Sequence, residues 1–432
     1  KRLAIFARPG GDKLKNYFEN ELEDLEFQAL LLLDSPQAVR DQLSKKDSIR
    51  KMVASLSDAD VNNLLRDLGG HDIFALRDAM LESKKSKHKP TLIIAHTIKG
   101  WGLKLAASPS NHSALPDEDE MIELQTKQGL PKNVLFAPFA PNTPESKFLA
   151  ARGESLYKEI LEQHQIKQKN MNGVLEKLRA KGELPISFEI NTKLVSYPHT
   201  QWMMGQIAAK ITRLSNTAPK TAKDEALKLP SQLVVSMAPD VGTSTNLNSV
   251  MDGKIFGSFA STDFEKEFGV KVDKNVDLIP GTETSDRYIR FEIAEGNAVS
   301  CVGSFGKMGD IIGVPFLPVM TVYDFFIKRA LDQHFYNLYW KSSFILIGTP
   351  SGVTLSFEGA QHGWKSDIQI PNQVTWEPYF CLEMDWILAE TMRLHFSQNN
   401  QERMGVLIRG VTRGVEQKNL LKLLKRQKRF KK

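Results

Sequence analysis

Short apolar-rich runs punctuate the chain: Leu92-Ile93-Ile94-Ala95, Leu233 to Ala238, and Phe344 to Ile347. Each is bounded by Gly, Pro or polar residues, the pattern of a strand buried on both faces. Tyr288 to Ile293 differs, alternating apolar and polar side chains with period two as a half-buried strand does. Val314 to Thr321 and Met404 to Val411 add two further strands. Helical periodicity predicts helices opening at Trp202, Tyr323 and Phe380, and others from Ala38 to Leu65, from Glu145 to Arg179 and from Lys418 to Lys432. From Thr192 to Gln417 strands and helices alternate at βαβ spacing, which predicts an α/β fold of mostly parallel sheets covered by helices on both faces.

The polar residues just past these strands matter most, because open α/β sheets bind ligands outside the carboxyl ends of their strands. His96-Thr97-Ile98-Lys99-Gly100-Trp101-Gly102 follows the first run and leads to Asn111-His112-Ser113. Asp240 closes the Leu233 run, and Glu358-Gly359-Ala360-Gln361-His362 lies beyond the Phe344 run. Glu295 stands where the alternating run gives way to Gly296, Asn297 and Ala298, placing a carboxylate at the mouth of the sheet.

Composition narrows the class without defining it. A chain of 432 residues with 41% hydrophobic and 25% charged residues is ordinary for a soluble globular protein of two or three domains. It shows no run of eighteen apolar residues and no signal-peptide pattern in its first residues, which reads as a cytoplasmic protein without a membrane span. Cys301 and Cys381 are too few for a disulfide framework and lack metal-site spacing. The net charge of +6 comes largely from Lys84 to Lys89 and Lys422 to Lys432, which lack interleaved aromatics and so do not mark a nucleic-acid surface. Gly303 to Gly309 lacks the Ser or Thr a P-loop needs after its Lys, and Ser351 lacks the strand-turn-helix context of a nucleophile.

The runs at His96 to Gly102, Ile293 to Glu295 and Glu358 to His362, in that order, resemble the thiamine-diphosphate-dependent transketolase superfamily. Within it, the likeness is greatest to the homodimeric decarboxylating component of bacterial pyruvate dehydrogenase complexes. It extends from about Gly69-Gly70-His71-Asp72 to about Gln417. The resemblance implies thiamine diphosphate and Mg2+ as cofactors, a homodimer, and a dihydrolipoyl acetyltransferase core as partner. The activity it implies is oxidative decarboxylation of a 2-oxo acid, pyruvate first, with acyl transfer to a lipoyl group. Transketolase chemistry and a non-catalytic truncated paralogue stay open as alternatives.

Residue by residue, the resemblance makes Glu295 the carboxyl group that hydrogen-bonds the cofactor's pyrimidine nitrogen. It makes His112 and His362 the proton-transfer groups near the substrate. Asp240 and Lys99 would line the cofactor cleft, and one of Tyr323, Phe325 and Phe326 would stack on the pyrimidine. His71 and His96 read as structural. No metal ligand is assigned: the family's Gly-Asp-Gly run with a later Asn is not found, and Gly10-Gly11-Asp12 only echoes it.

The implied organisation is the C-terminal part of a diphosphate-binding domain over 1–126, a linker and helical connector over 127–191, and a pyrimidine-binding transketolase-like domain over 192–417. The last stretch, 418–432, would begin a linker to a further domain. On this reading the chain is a fragment, lacking the N-terminal metal-binding motif and the C-terminal domain, and is inactive alone.

Overall fold

The computed structural model describes residues 1–132, 134, 136–239, 242–251, 268–269, 288–355, 371–397 and 404–426. The chain divides into two compact units, Lys1–Phe148 and Leu149–Lys432.

The first unit is built on helices. Arg2–Phe6, Gly11–Asn16, Pro36–Leu43 and Asp58–Arg66 converge on a core that includes Ile5, Leu14, Leu43, Val53 and Leu64. Local chemistry starts these helices where the chain dictates. Ser35 caps Pro36–Leu43, with Pro36 at its first position. Ser57 and Asp60 form a reciprocal capping box on Asp58–Arg66. The predicted helix from Ala38 to Leu65 is thus three shorter ones, and Gly69–His71 forms the 3-10 turn that ends the series.

The second unit carries a six-stranded, wholly parallel sheet: β1 (Val234–Ala238), β2 (Tyr288–Arg290), β3 (Leu317–Val322), β4 (Phe344–Gly348), β5 (Gln373–Trp376) and β6 (Gly405–Arg409). Their spatial order is β2-β1-β3-β4-β6-β5. Every residue of β1, β4 and β6 is buried. Side chains alternate between two cores, as the pleat requires. Val234, Leu317, Ile345, Ile347 and Ile408 face the helices Thr200–Asn216 and Cys381–His395. Met237, Met320, Val322, Leu346 and Leu407 face the helix Glu295–Ile311 through Ala298, Val299 and Val302. Helices therefore cover both faces, the α/β architecture expected. Among the described residues no helix is long and apolar enough to cross a membrane.

Several local expectations are corrected. Leu92 to Ile98 is no strand: Leu92 and Ile94 are each 84% exposed, and the run is tied instead by Gly70 N donating to His96 O and Ile98 N donating to His71 Nε2. The extended run at Tyr288 closes at Arg290, and Ile293 is exposed. Glu295 consequently sits at the first position of a helix rather than at a strand end. Tyr323 opens no α-helix; it caps a 3-10 turn, Asp324–Ala330, and the α-helix begins at Leu331. A helix not among those predicted, Ala222–Leu233, buries Ala226, Leu227 and Pro230.

Candidate functional site

In a parallel sheet of this order, the chain leaves β1 toward β2 on one side and leaves β3 toward β4 on the other, so the switch point lies between β1 and β3 at their carboxyl ends. Three chain segments meet there. The helix Glu295–Ile311 follows β2, the 3-10 turn Gly242–Thr245 follows β1, and the turn Asp324–Ala330 follows β3. Thr245 and Thr321 share a hydroxyl hydrogen bond of 2.7 Å that ties the second segment to β3. Gln201 links the same turn to β4, donating to Ser244 O at 2.8 Å and accepting from Thr349 Oγ1 at 2.6 Å.

Glu295 is only 6% exposed, held at the N-terminus of its helix, where backbone N–H groups favour a negative charge. Arg329 Nη1 donates to Glu295 Oε1 at 2.8 Å. The same guanidinium lies over the Phe326 ring, its carbon 3.5 Å from the centroid. Phe325 is buried and packs edge-on to Phe326 at 4.2 Å, and Tyr323 completes the aromatic group at 5.9 and 6.0 Å from the other two.

Behind this turn, Asp324 accepts from Arg409 Nε at 3.1 Å and from Ser351 Oγ at 2.9 Å. The Asp324 and Arg409 side chains are both 8% exposed, so a buried ion pair joins the segment after β3 to the end of β6. A Cβ at Gly348 would lie 2.5 Å from Asp324 Oδ1, which explains why β4 ends in glycine. The aromatic turn is thereby fixed to three strand ends.

The structure thus brings Glu295 together with Phe326 through Arg329, and groups Tyr323, Phe325 and Phe326. Lys99 and His112 lie in the first unit, where Lys99 Nζ donates to His112 O at 3.3 Å and Asn111 Nδ2 donates to Lys99 O at 2.7 Å. Both side chains are exposed. His71 stacks on Trp101, with ring centroids 4.8 Å apart. Asp240 and His362 lie outside the described residues. Sequence reasoning missed Arg329, Asp324, Arg409 and the Thr245–Thr321 pair. The available signal for Arg329 was its spacing of three from Phe326. Among the described residues no three His, Cys, Asp or Glu side chains converge as metal ligands.

The wholly parallel sheet covered by helices on both faces matches the thiamine-diphosphate-binding fold of transketolase-like proteins. Residues 43–185, which include Lys99 and His112, match the family model for the transketolase thiamine diphosphate binding domain. The pyruvate dehydrogenase E1 component of Buchnera aphidicola subsp. Schizaphis graminum is 23% identical over 415 residues, covering 87% of this chain and 41% of that protein. The Cupriavidus necator E1 component is 24% identical over 414 residues, 88% of this chain and 41% of its own length. The chain therefore spans about two fifths of the length of these relatives, 41% in each case. A transketolase mutant from Pichia stipitis shares the fold with a TM-score of 0.53 at 17% identity, over 84% of this chain and 50% of that one. The chain fits the thiamine-diphosphate-dependent transketolase-like superfamily. Most of its length is similar to pyruvate dehydrogenase E1 components.

Proposed function

We propose that this chain carries the ring-binding part of a thiamine-diphosphate-dependent 2-oxo acid dehydrogenase, with pyruvate as substrate and a lipoyl group as acyl acceptor. One observation carries the reading: a buried carboxylate, Glu295, stands beside an aromatic face that already receives a flat N–H donor, the Arg329 guanidinium. A nitrogen heterocycle with ring N–H or amino donors meets the same requirements, so the residues present fit the cofactor's pyrimidine. When bound, thiamine diphosphate supplies a nucleophilic carbon that takes up the electrons released on decarboxylation.

The residues divide the remaining work. Glu295 hydrogen-bonds the ring nitrogen and holds a proton there, while Phe325, Phe326 or Tyr323 grips the ring face without placing charge against it. The resemblance assigns Asp240 and Lys99 to the cofactor cleft, and His112 and His362 to proton transfer at substrate oxygen. Mg2+ belongs at the diphosphate, and no ligand for it is assigned here. The working assembly in this reading is a cytoplasmic homodimer docked on a dihydrolipoyl acetyltransferase core. The similarity to pyruvate dehydrogenase E1 components supports the 2-oxo acid over a sugar phosphate as substrate.

Glu295→Gln tests the reading in the protein as its source organism makes it. The change keeps the shape but removes the shared proton, so pyruvate decarboxylation measured with an artificial electron acceptor should fall about a hundredfold. Thermal stability should hardly move. Near-normal turnover in the variant would remove Glu295 from the chemistry. Ketol transfer between sugar phosphates without pyruvate turnover would assign the protein to transketolase instead.

A further inference from the structure

The 3-10 turn Asp324–Ala330 does something an α-helix would not. Side chains three residues apart eclipse in a 3-10 helix, so Phe326 and Arg329 leave the turn on one edge, one above the other. That register puts the guanidinium carbon over the ring, 3.5 Å from its centroid, with Nη1 donating to Glu295 Oε1, 2.8 Å away. The Arg329 side chain is 48% exposed and the Glu295 side chain 7%, so the arginine is the solvent-exposed member of the pair. A guanidinium is planar, always charged and stacks well on aromatic faces. It makes the two contacts a planar aminopyrimidine would make, with the same two residues.

We propose that Arg329 is a resident competitor for the ring end of the site: it holds Glu295 and Phe326 in place until a planar N–H donor displaces it. The inference rests on the reading that these two residues receive the cofactor ring. A ligand that binds only the uncovered site has its apparent dissociation constant raised by the inverse of the uncovered fraction. If Arg329 covers the site nine-tenths of the time, removing it should tighten ring binding about tenfold.

The experiment is ligand-observed NMR titration of this 432-residue chain with two probes, thiamine and the neutral 4-aminopyrimidine, neither of which depends on a diphosphate site. Arg329→Met keeps an apolar stem over Phe326 but cannot bond the carboxylate; Arg329→Gln is the second variant, and circular dichroism confirms the fold of each. Both probes should bind about tenfold tighter to Arg329→Met than to the unmodified chain. Adding Glu295→Gln should abolish the gain. Tightening of thiamine alone would mean that loss of a positive charge, not uncovering, draws in the cationic ligand, and would overturn the proposal. Equal affinities in both proteins would overturn it too while leaving the thiamine reading in place. Absence of saturable binding by either probe in every variant would overturn both.

Discussion

In the unit Lys1–Phe148, the fold alters the acidic side chain Asp60 by pairing it at the surface with a cation, whereas in Leu149–Lys432 it alters Asp385 by burying it. Asp60 receives both Arg8 nitrogens, at 2.7 and 2.9 Å, and the Ser57 backbone and hydroxyl donors; these bonds hold its carboxyl well below the usual range. Asp385 is 1% exposed, and burial pushes its carboxyl up despite donors from Ser187 Oγ and Phe188 N. A helical unit with a small core leans on surface bonds between helices. A parallel sheet covered on both faces places its polar anchors inside, where a lost partner costs far more. The two units should therefore fail under different insults, and because a protein of two units need not unfold in one step, each needs a local probe such as hydrogen exchange.

The largest contrast should come from Arg409→Met. It leaves Asp324 buried without its cation, and breaking one partner of a buried pair costs about 3–5 kcal/mol. Exchange protection of β3, β4 and β6 should drop by that amount, while the helix Asp58–Arg66 should be unchanged. A loss of under 1 kcal/mol, the scale of a surface pair, would mean that water reaches the ion pair and that the contrast between units is wrong.

Asp385 gives a smaller effect with a definite sign. A carboxyl whose folded pKa is raised contributes its full stability below the unfolded value of 3.8, and that contribution is lost as pH rises through the folded value. Asp385→Asn keeps an acceptor for Phe188 N and cannot ionise, so its stability relative to the parent should improve as pH rises from about 3 toward neutrality. Asp385→Ala, by contrast, strands a buried backbone N–H and should cost about 1–3 kcal/mol throughout. A stability difference between parent and Asp385→Asn that does not change with pH would show that burial does not control this carboxyl.

The same difference between the units explains what could be read from the residues alone. β1, β4 and β6 were legible because a strand buried on both faces must be largely apolar, and Val234 to Ala238 satisfies this with Ser236 as its one polar residue. Leu92 to Ala95 has the same composition but no sheet neighbour among the described residues; an apolar run records a preference, not whether a partner strand exists to satisfy it. Glu295 was legible as a singular carboxylate, but Gly296 and Asn297 suit a turn and a helix start equally, so its place at a helix N-terminus was not. The aromatic turn was found, yet read as an α-helix, in which Phe326 and Arg329 would not eclipse. Arg329 stayed hidden because its partner, Glu295, comes from another segment, 34 residues away along the chain. Thr245 and Thr321 gave no signal, since a hydroxyl in a loop and one in a strand look ordinary until the topology joins them.

The last prediction concerns the first unit and acid. A carboxyl whose folded pKa is lowered contributes stability that is present above its unfolded value and lost as pH falls toward the folded one. For Asp60 that window opens at about 3.8 and extends downward. Its protonation removes the bidentate Arg8 pair and weakens the capping box with Ser57 together, so the helices Arg2–Phe6 and Asp58–Arg66 lose a shared fastening. Protection of the Asp58–Arg66 amides, taken relative to the intrinsic exchange rate at each pH, should therefore fall on acidification below about pH 4 before that of the β4 amides does. Asp60→Asn should exchange faster than the parent at neutral pH and flatten that acid response, because it cannot be protonated further. An unaltered acid response in the variant would move the acid sensitivity of this unit to other carboxylates and leave the Arg8 pair as a surface contact of little consequence.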